Sequence, residues 1–295
     1  MSDLKGALLS IAAASVFAGA VHDAINVDGD YEKVKHVLVF GSAGVGKTSF
    51  VNAVGGESMP TNGGTRGVTL KAQEVLTRRD GVDYRIIDTA GLDEADGGAV
   101  SSAGAVRALV RLLKRSKDGL NLMVMVVKKG RIHASTLNNF ELFVKKMGGK
   151  KVPLLIIVTH CEREDGDMQG WVDVNGRDFI SRGIVFSRMV ATTFMTPDVE
   201  FDNVEHMQAK VNQSIELSWG AIQACATDTP VDFMKEKGGF IGVLRDMYNS
   251  VARRFSEKAI WVSEPLVKMA EKLTPAGVSR NEIYERAREA CFFDG

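Results

Sequence analysis

The chain has 295 residues, 45% hydrophobic and 25% charged, and its 37 Lys+Arg balance its 37 Asp+Glu. Such a composition suits a globular protein with a sizeable core and excludes a surface built throughout to attract nucleic acid. Three widely spaced cysteines, Cys161, Cys225 and Cys291, exclude a disulfide framework and show no CxxC or Cys/His zinc spacing, so a reducing compartment, the cytoplasm, is expected.

In chain order, "GALLSIAAASVFAGAV" (6–21) carries no charge. It is too short and too rich in Ala and Ser for a convincing transmembrane helix. Three readings stay open: a helix packed on the body of the protein, a helix that touches a membrane surface or a second copy, and a cleaved leader. The leader is the weakest, because Lys5 is the sole basic residue ahead of "AGA" at 18–20. "VKHVLVF" (34–40) is β-branched, apolar and followed by Gly41, and reads as a buried strand. "GVTLKAQEVLT" (67–77) and "VDYRIID" (82–88) flank "RRDG" and read as a hairpin. Residues 99–117 carry apolar side chains at helical spacing, with Arg and Lys between them.

"LNLMVMVV" (120–127) and "VPLLIIVT" (152–159) read as a second and a third buried strand, and "RMVATTF" (188–194) as a candidate fourth. Residues 134–147 read as a helix closed by Gly148-Gly149, and 204–226 as a long amphipathic helix. Apolar strands alternating with helices predict an α/β fold, a mostly parallel sheet covered on both faces. Beyond Pro230 the pattern is helical and basic. The expected division is an N-terminal apolar helix (1–30), a central domain (31–228) and a C-terminal helical extension (229–295).

"GSAGVGKT" (41–48) fits G-x-x-x-x-G-K-[ST], a match expected by chance in roughly 1% of chains this long. The motif sits between a buried strand and a helix, as the chemistry requires. Gly41, Ser42, Ala43, Gly44, Val45 and Gly46 form a loop whose N–H groups converge on phosphates, with Ser49 just inside the helix. Lys47 supplies a point charge to the β- and γ-phosphates, and Thr48 offers its hydroxyl to Mg²⁺. In "RIIDTAGL" (85–92), Asp88 ends a strand where a carboxylate can hold the Mg²⁺ shell, and the Gly91 N–H can meet the γ-phosphate. "NGGTRGVTL" lies between. A switch loop needs a Thr that reaches metal and γ-phosphate; Thr65 is favoured, and Thr69 is the alternative.

"VTHCERED" (158–165) by itself admits a Cys/His nucleophile, half a metal site or the reader of a base. Adjacent residues leaving a strand diverge, and no second ligand pair exists, which disfavours the first two. At the carboxyl end of a strand beside the phosphate loop, Thr159-His160-Cys161-Glu162 instead takes the place of N/T-K-x-D. Glu162 would accept from guanine N1–H and the exocyclic amine, a donor pair that adenine lacks, and His160 would lie on the ring face. Thr192 and Thr193 in "ATTFM" (191–195) are candidates for further contacts to the base.

With these residues in place, the chain resembles the septin-like (paraseptin) branch of P-loop GTPases, most nearly the immunity-associated (GIMAP-type) and chloroplast Toc import GTPases. "GSAGVGKTSFVNAVGG", "IIDTAGL", "MVVKKGRIHASTLNNFELFVKKMGG" and "VPLLIIVTHCE" stand in that family's order, over roughly residues 34–226. The resemblance implies a P-loop NTPase G domain that binds GTP or GDP with Mg²⁺ and forms a homodimer across the nucleotide face. Arg66 and Arg131 are candidates to reach the partner. Lys47, Thr65 and Gly91 would carry catalysis, with Thr48, Thr65 and Asp88 around the metal. Leu92 stands where a glutamine would orient water, so slow hydrolysis is expected, or a GTP-loaded scaffold that scarcely turns over.

Overall fold

The structure is a computed structural model that describes residues 34–55, 74–89, 102–164, 166–195 and 204–255. Strands β1 (Lys35–Phe40), β4 (Leu122–Lys128), β5 (Leu154–Thr159) and β6 (Arg188–Ala191) run parallel, and β3 (Val82–Asp88) joins them on the far side of β1. Strand β2 (Glu74–Arg79) pairs antiparallel with β3 as the outer strand, so the order is β2-β3-β1-β4-β5-β6. Every residue of β5, and all of β4 but Lys128, is buried, as strands covered by helices on both faces must be. That double burial explains their unbroken apolar runs. Of the "RRDG" turn only Asp80-Gly81 turns, at φ 50° and 82°, and the two arginines finish β2.

Helix α1 (Lys47–Gly55) follows the phosphate motif, α2 (Ser102–Arg115) precedes β4, and α3 (Ala134–Asn139) runs into a wider π-helical segment, Phe140–Met147. That segment ends where the Gly148 N–H donates to the Phe143 carbonyl at 2.8 Å, one residue beyond the α-helical spacing. Helix α4 (Gln169–Ser181) is absent from the pattern-based reading. Gly176 and several Asp and Asn residues give it a poor intrinsic propensity, and tertiary packing of Trp171, Val172 and Phe179 forms it. Its first residue also closes the sheet. The Gln169 side-chain amide donates to the Ala191 carbonyl at 2.7 Å, and its oxygen accepts from the Ala191 N–H at 3.1 Å. The last strand is therefore Arg188–Ala191, and residues 192–195 are loop.

Helix α5 (Val204–Cys225) covers the face built by Val37, Val39, Leu155 and Ile157, with Trp219 edge-on to Tyr84 at 5.1 Å. Beyond it, Val231 bridges antiparallel to Leu120, and α6 (Gly239–Phe255) follows a short 3₁₀ turn, Lys235–Lys237. Val243, Leu244, Met247 and Tyr248 of α6 join the core on the other face, with Leu109, Leu113, Phe143 and Met147. Among the described residues no helix is long and apolar enough to cross a membrane.

Candidate functional site

Five strand ends meet along one edge of the sheet. The loop after β1, Asp88 at the end of β3, Lys128 at the end of β4, Thr159 at the end of β5 and the loop after β6 all lie at the carboxyl ends of parallel strands, where open α/β sheets bind ligands. Register makes the assembly compact, since Val39 pairs with Asp88, Lys128 with Thr159 and Val158 with Ala191.

The phosphate loop is shaped by its glycines. Gly41 has φ 148°, and a Cβ there would lie 2.2 Å from the Val126 carbonyl oxygen, so only glycine lets the loop leave β1 against β4. The Lys47 side chain is 7% exposed. Its Nζ donates to the carbonyls of Gly41 and of Ser42, the latter at 2.8 Å. The ammonium is thus drawn into the bowl of the loop, where Gly44 and Gly46 turn with φ 73° and 90°. Thr48 is half-buried at the start of α1, and Ala43, Gly44 and Ser49 are exposed. Asp88 is fully buried on the strand beside this loop, and the following Thr89 N–H donates to the Val39 carbonyl at 3.0 Å. A hydroxyl and a carboxylate on neighbouring elements are hard oxygen donors of the kind Mg²⁺ takes alongside phosphate oxygens and water. Among the described residues no group of three or more His, Cys, Asp or Glu could form an all-protein metal cage. Thr65, Thr69, Arg66, Gly91 and Leu92 lie outside the described residues.

One residue of the phosphate end has no sequence motif. Asn139, 1% exposed where α3 passes into the π-helical segment, donates from Nδ2 to Ser42 Oγ at 3.3 Å. Its Oδ1 is buried without a hydrogen-bond partner. The second Asn of an Asn138-Asn139 pair in a helix gives no signal in sequence of a contact 97 residues away.

The base end is tied directly to the phosphate end. The Thr159 hydroxyl donates to the Val45 carbonyl at 2.6 Å, with the Val127 carbonyl a weaker second acceptor at 3.2 Å. His160 Nδ1 lies 2.9 Å from the same oxygen. Thr159 has one hydroxyl hydrogen, and Val45 takes it, so His160 donates from Nδ1. His160 adopts φ 62°, a left-handed conformation that a residue with a Cβ rarely holds without cause. Burial, followed by the nearby Lys128 charge, lowers its pKa, so the ring is neutral at physiological pH. A neutral, edge-fixed imidazole can lie against an aromatic base.

Glu162 Oε2 accepts from Thr193 Oγ1 at 3.1 Å. Thr192 is spent on the sheet, its N–H and hydroxyl both donating to the Val158 carbonyl at 2.7 and 2.9 Å. Cys161 is fully buried, and burial pushes its thiol up to about 11. A thiol so high and so enclosed is neither nucleophile nor metal ligand. The structure therefore brings together Lys47, Thr48, Asp88, Thr159, His160, Glu162 and Thr193 along one edge, and leaves Cys161 and Thr192 as packing.

Comparison with known proteins agrees with this layout. Residues 36–160, under half of the chain, match the 50S ribosome-binding GTPase family from the second residue of β1 to the base loop. A 61-residue stretch is 43% identical to GTPase Der of Cyanothece sp., covering 21% of this chain and 14% of that protein. A 126-residue stretch is 29% identical to the tRNA modification GTPase MnmE of Myxococcus xanthus, covering 43% and 26%. The matches thus span about a quarter or less of these curated relatives. Among solved structures, Arabidopsis thaliana Toc33 in complex with Mg²⁺ and GMPPNP is similar at 18% identity with a TM-score of 0.45, covering 65% of this chain and 86% of that one. The G domain of the T. maritima FeoB iron transporter is similar at 21% identity with a TM-score of 0.36, covering 62% and 99%. With a phosphate loop after β1, an acidic residue closing β3 and a base loop after β5 in one parallel sheet, the described core is a P-loop GTPase G domain, of the class that binds GTP or GDP with Mg²⁺.

Proposed function

We propose that the chain is a GTPase of low intrinsic rate that acts as a dimerisation and assembly switch through its nucleotide face. The observation that carries the nucleotide reading is the hydrogen bond from Thr159 to Val45. It joins base loop to phosphate loop, so one ligand with a base at one end and phosphates at the other spans both. Glu162, braced by Thr193, offers a carboxylate to a guanine N1–H and amine. Lys47 holds its charge over the phosphates, and the Thr65 and Gly91 backbones would report the γ-phosphate. Mg²⁺, held by Thr48 and Asp88, would neutralise charge on the transferred group.

Leu92 cannot orient water, so the missing water-positioning group comes from a second copy packed on the nucleotide face. Arg131, exposed just past β4 on that edge, and Arg66 are the residues offered to it. The septin-like resemblance supports this dimer, and the apolar segment 6–21 supports a cytoplasmic protein peripheral to a membrane.

The test is equilibrium affinity for GTP, GDP and ATP, with turnover followed at rising protein concentration. Guanine preference and a specific rate that climbs with concentration are expected. Equal binding of ATP and GTP would sink the base assignment, and a concentration-independent rate would remove the dimer. GTP binding without turnover at any concentration favours the scaffold reading, which Leu92 also permits. Vesicle flotation of the chain with and without residues 1–25 checks the membrane assignment, which fails if both float alike.

A further inference from the structure

We infer that Lys210 and Ser214 of α5 are positioning residues for guanine recognition, an inference that rests on the base-end reading above. Lys210 Nζ donates to the backbone carbonyls of both Glu162 and Glu164, each at 2.9 Å. One helical turn later the fully buried Ser214 donates to the Lys210 carbonyl at 2.8 Å and accepts the Thr193 N–H at 2.9 Å. Thr193 in turn donates to Glu162 Oε2 at 3.1 Å. Two loops that leave different strands are thus fixed to two residues of one helix, and Glu162 sits where their hydrogen bonds converge.

Among the described residues, three other ties hold the backbone and the acidic side chains of the Glu162 loop. The Cys161 N–H donates to Thr192 at 3.2 Å, the Glu164 N–H donates to Cys161 at 3.1 Å, and the Glu164 carboxylate pairs with Lys129. Only the Glu164 N–H acts on the peptide unit that joins Cys161 to Glu162, and none of the three reaches the Glu162 carbonyl or side chain. A carboxylate that reads two donors on a flat base has to lie in the plane of the base within a few tenths of an ångström. Lys210 acts on the backbone that carries this carboxylate, and Ser214 acts on the threonine that holds its Oε2. Together they fix both the backbone and the Oε2 of the carboxylate that would read the base. Lys210 is half-buried and its acceptors are loop carbonyls, so its removal leaves both apolar cores intact.

The experiment compares GDP with IDP, which lacks the exocyclic amine. Equilibrium affinities for both and the melting temperature are measured for the wild-type chain, Lys210→Met, Lys210→Arg and Ser214→Ala. Lys210→Met is expected to lower the GDP-to-IDP affinity ratio by about tenfold, the worth of one charge-assisted hydrogen bond, with IDP, which keeps the N1–H, weakened less than GDP and melting temperature near wild type. Arginine, which restores donors at the same place, should recover part of the ratio, and Ser214→Ala should lower it. An unchanged ratio, or GDP and IDP weakened together, would overturn the positioning role. A wild-type chain that does not distinguish GDP from IDP would instead overturn the base assignment itself, before any variant is considered.

Discussion

Cys161 and His160 are neighbours in the base loop with opposite fates. Thiolate, not thiol, reacts with alkylating agents, and a group pushed up to about 11 is almost wholly protonated at pH 8. Iodoacetamide should leave Cys161 unmodified in the folded protein and label it fully in denaturant, as read by mass spectrometry. Labelling in the native state would mean that the base loop opens on the timescale of the reaction. His160 is held neutral by burial, so its folded pKa lies below the ordinary value of about 6.5. The unfolded chain then binds the proton more readily. The stability contributed by a neutral His160 is therefore complete above about pH 6.5 and is lost as pH falls through the folded value. As pH is lowered from 7.5 to 5, the melting temperature should fall more steeply for wild type than for His160→Gln. Identical slopes would remove His160 as the cause.

At the scale of elements, motif and fold meet in the turn after β1. Gly41→Ala would set a Cβ against the Val126 carbonyl, and neither backbone can yield without separating β1 from β4. Overpacking and left-handed strain each cost about 1–3 kcal/mol, so the variant should lose at least tenfold in GTP affinity and also melt lower. Gly44→Ala is the control. Its φ is 73° but nothing lies within 4 Å of the added carbon, so it should cost only about 1 kcal/mol. If both variants bind and melt alike, loop shape is not set by that contact. This turn was legible from sequence because backbone chemistry dictates glycine, lysine and hydroxyl at fixed spacing. Lys210, Ser214 and Asn139 were not legible, because each is one polar residue on a helix whose partner is tens of residues away. Helix α4 was hidden for a related reason. Its weak local propensity is overridden by Trp171 and Phe179 packing, and by a Gln169 that caps the edge strand.

At the scale of the whole molecule, the mostly parallel sheet follows from the apolar strands, but its strand order and the attachment of the chain beyond Pro230 do not. That segment reads as a separate extension in sequence, yet α6 lays Val243, Leu244, Met247 and Tyr248 into the core beside α2 and the π-helical segment. Asn121 anchors the approach. It accepts the His36 N–H at 2.8 Å and donates to the Thr227 carbonyl at 2.7 Å. Burial of four such side chains contributes on the order of 6–12 kcal/mol, comparable to the net stability of a domain. A chain ending at residue 228 should therefore fail to fold cooperatively. Met247→Ala should destabilise by about 2–5 kcal/mol in a denaturant titration while leaving the GDP affinity of the folded protein unchanged. A truncated chain that melts like the full one would show that α6 is dispensable to the core.

Helix α5 has 22 residues, which makes it about 33 Å long. Its early turns grip the base loops through Lys210 and Ser214. Just past its last turn, Thr227 and Asp228 reach Asn121 and Lys35 at the opposite edge of the sheet. Mechanically the helix is a strut fixed at both ends. A shift of the Asp228 end relative to the sheet would therefore be carried along one stiff rod to the loops that hold Glu162.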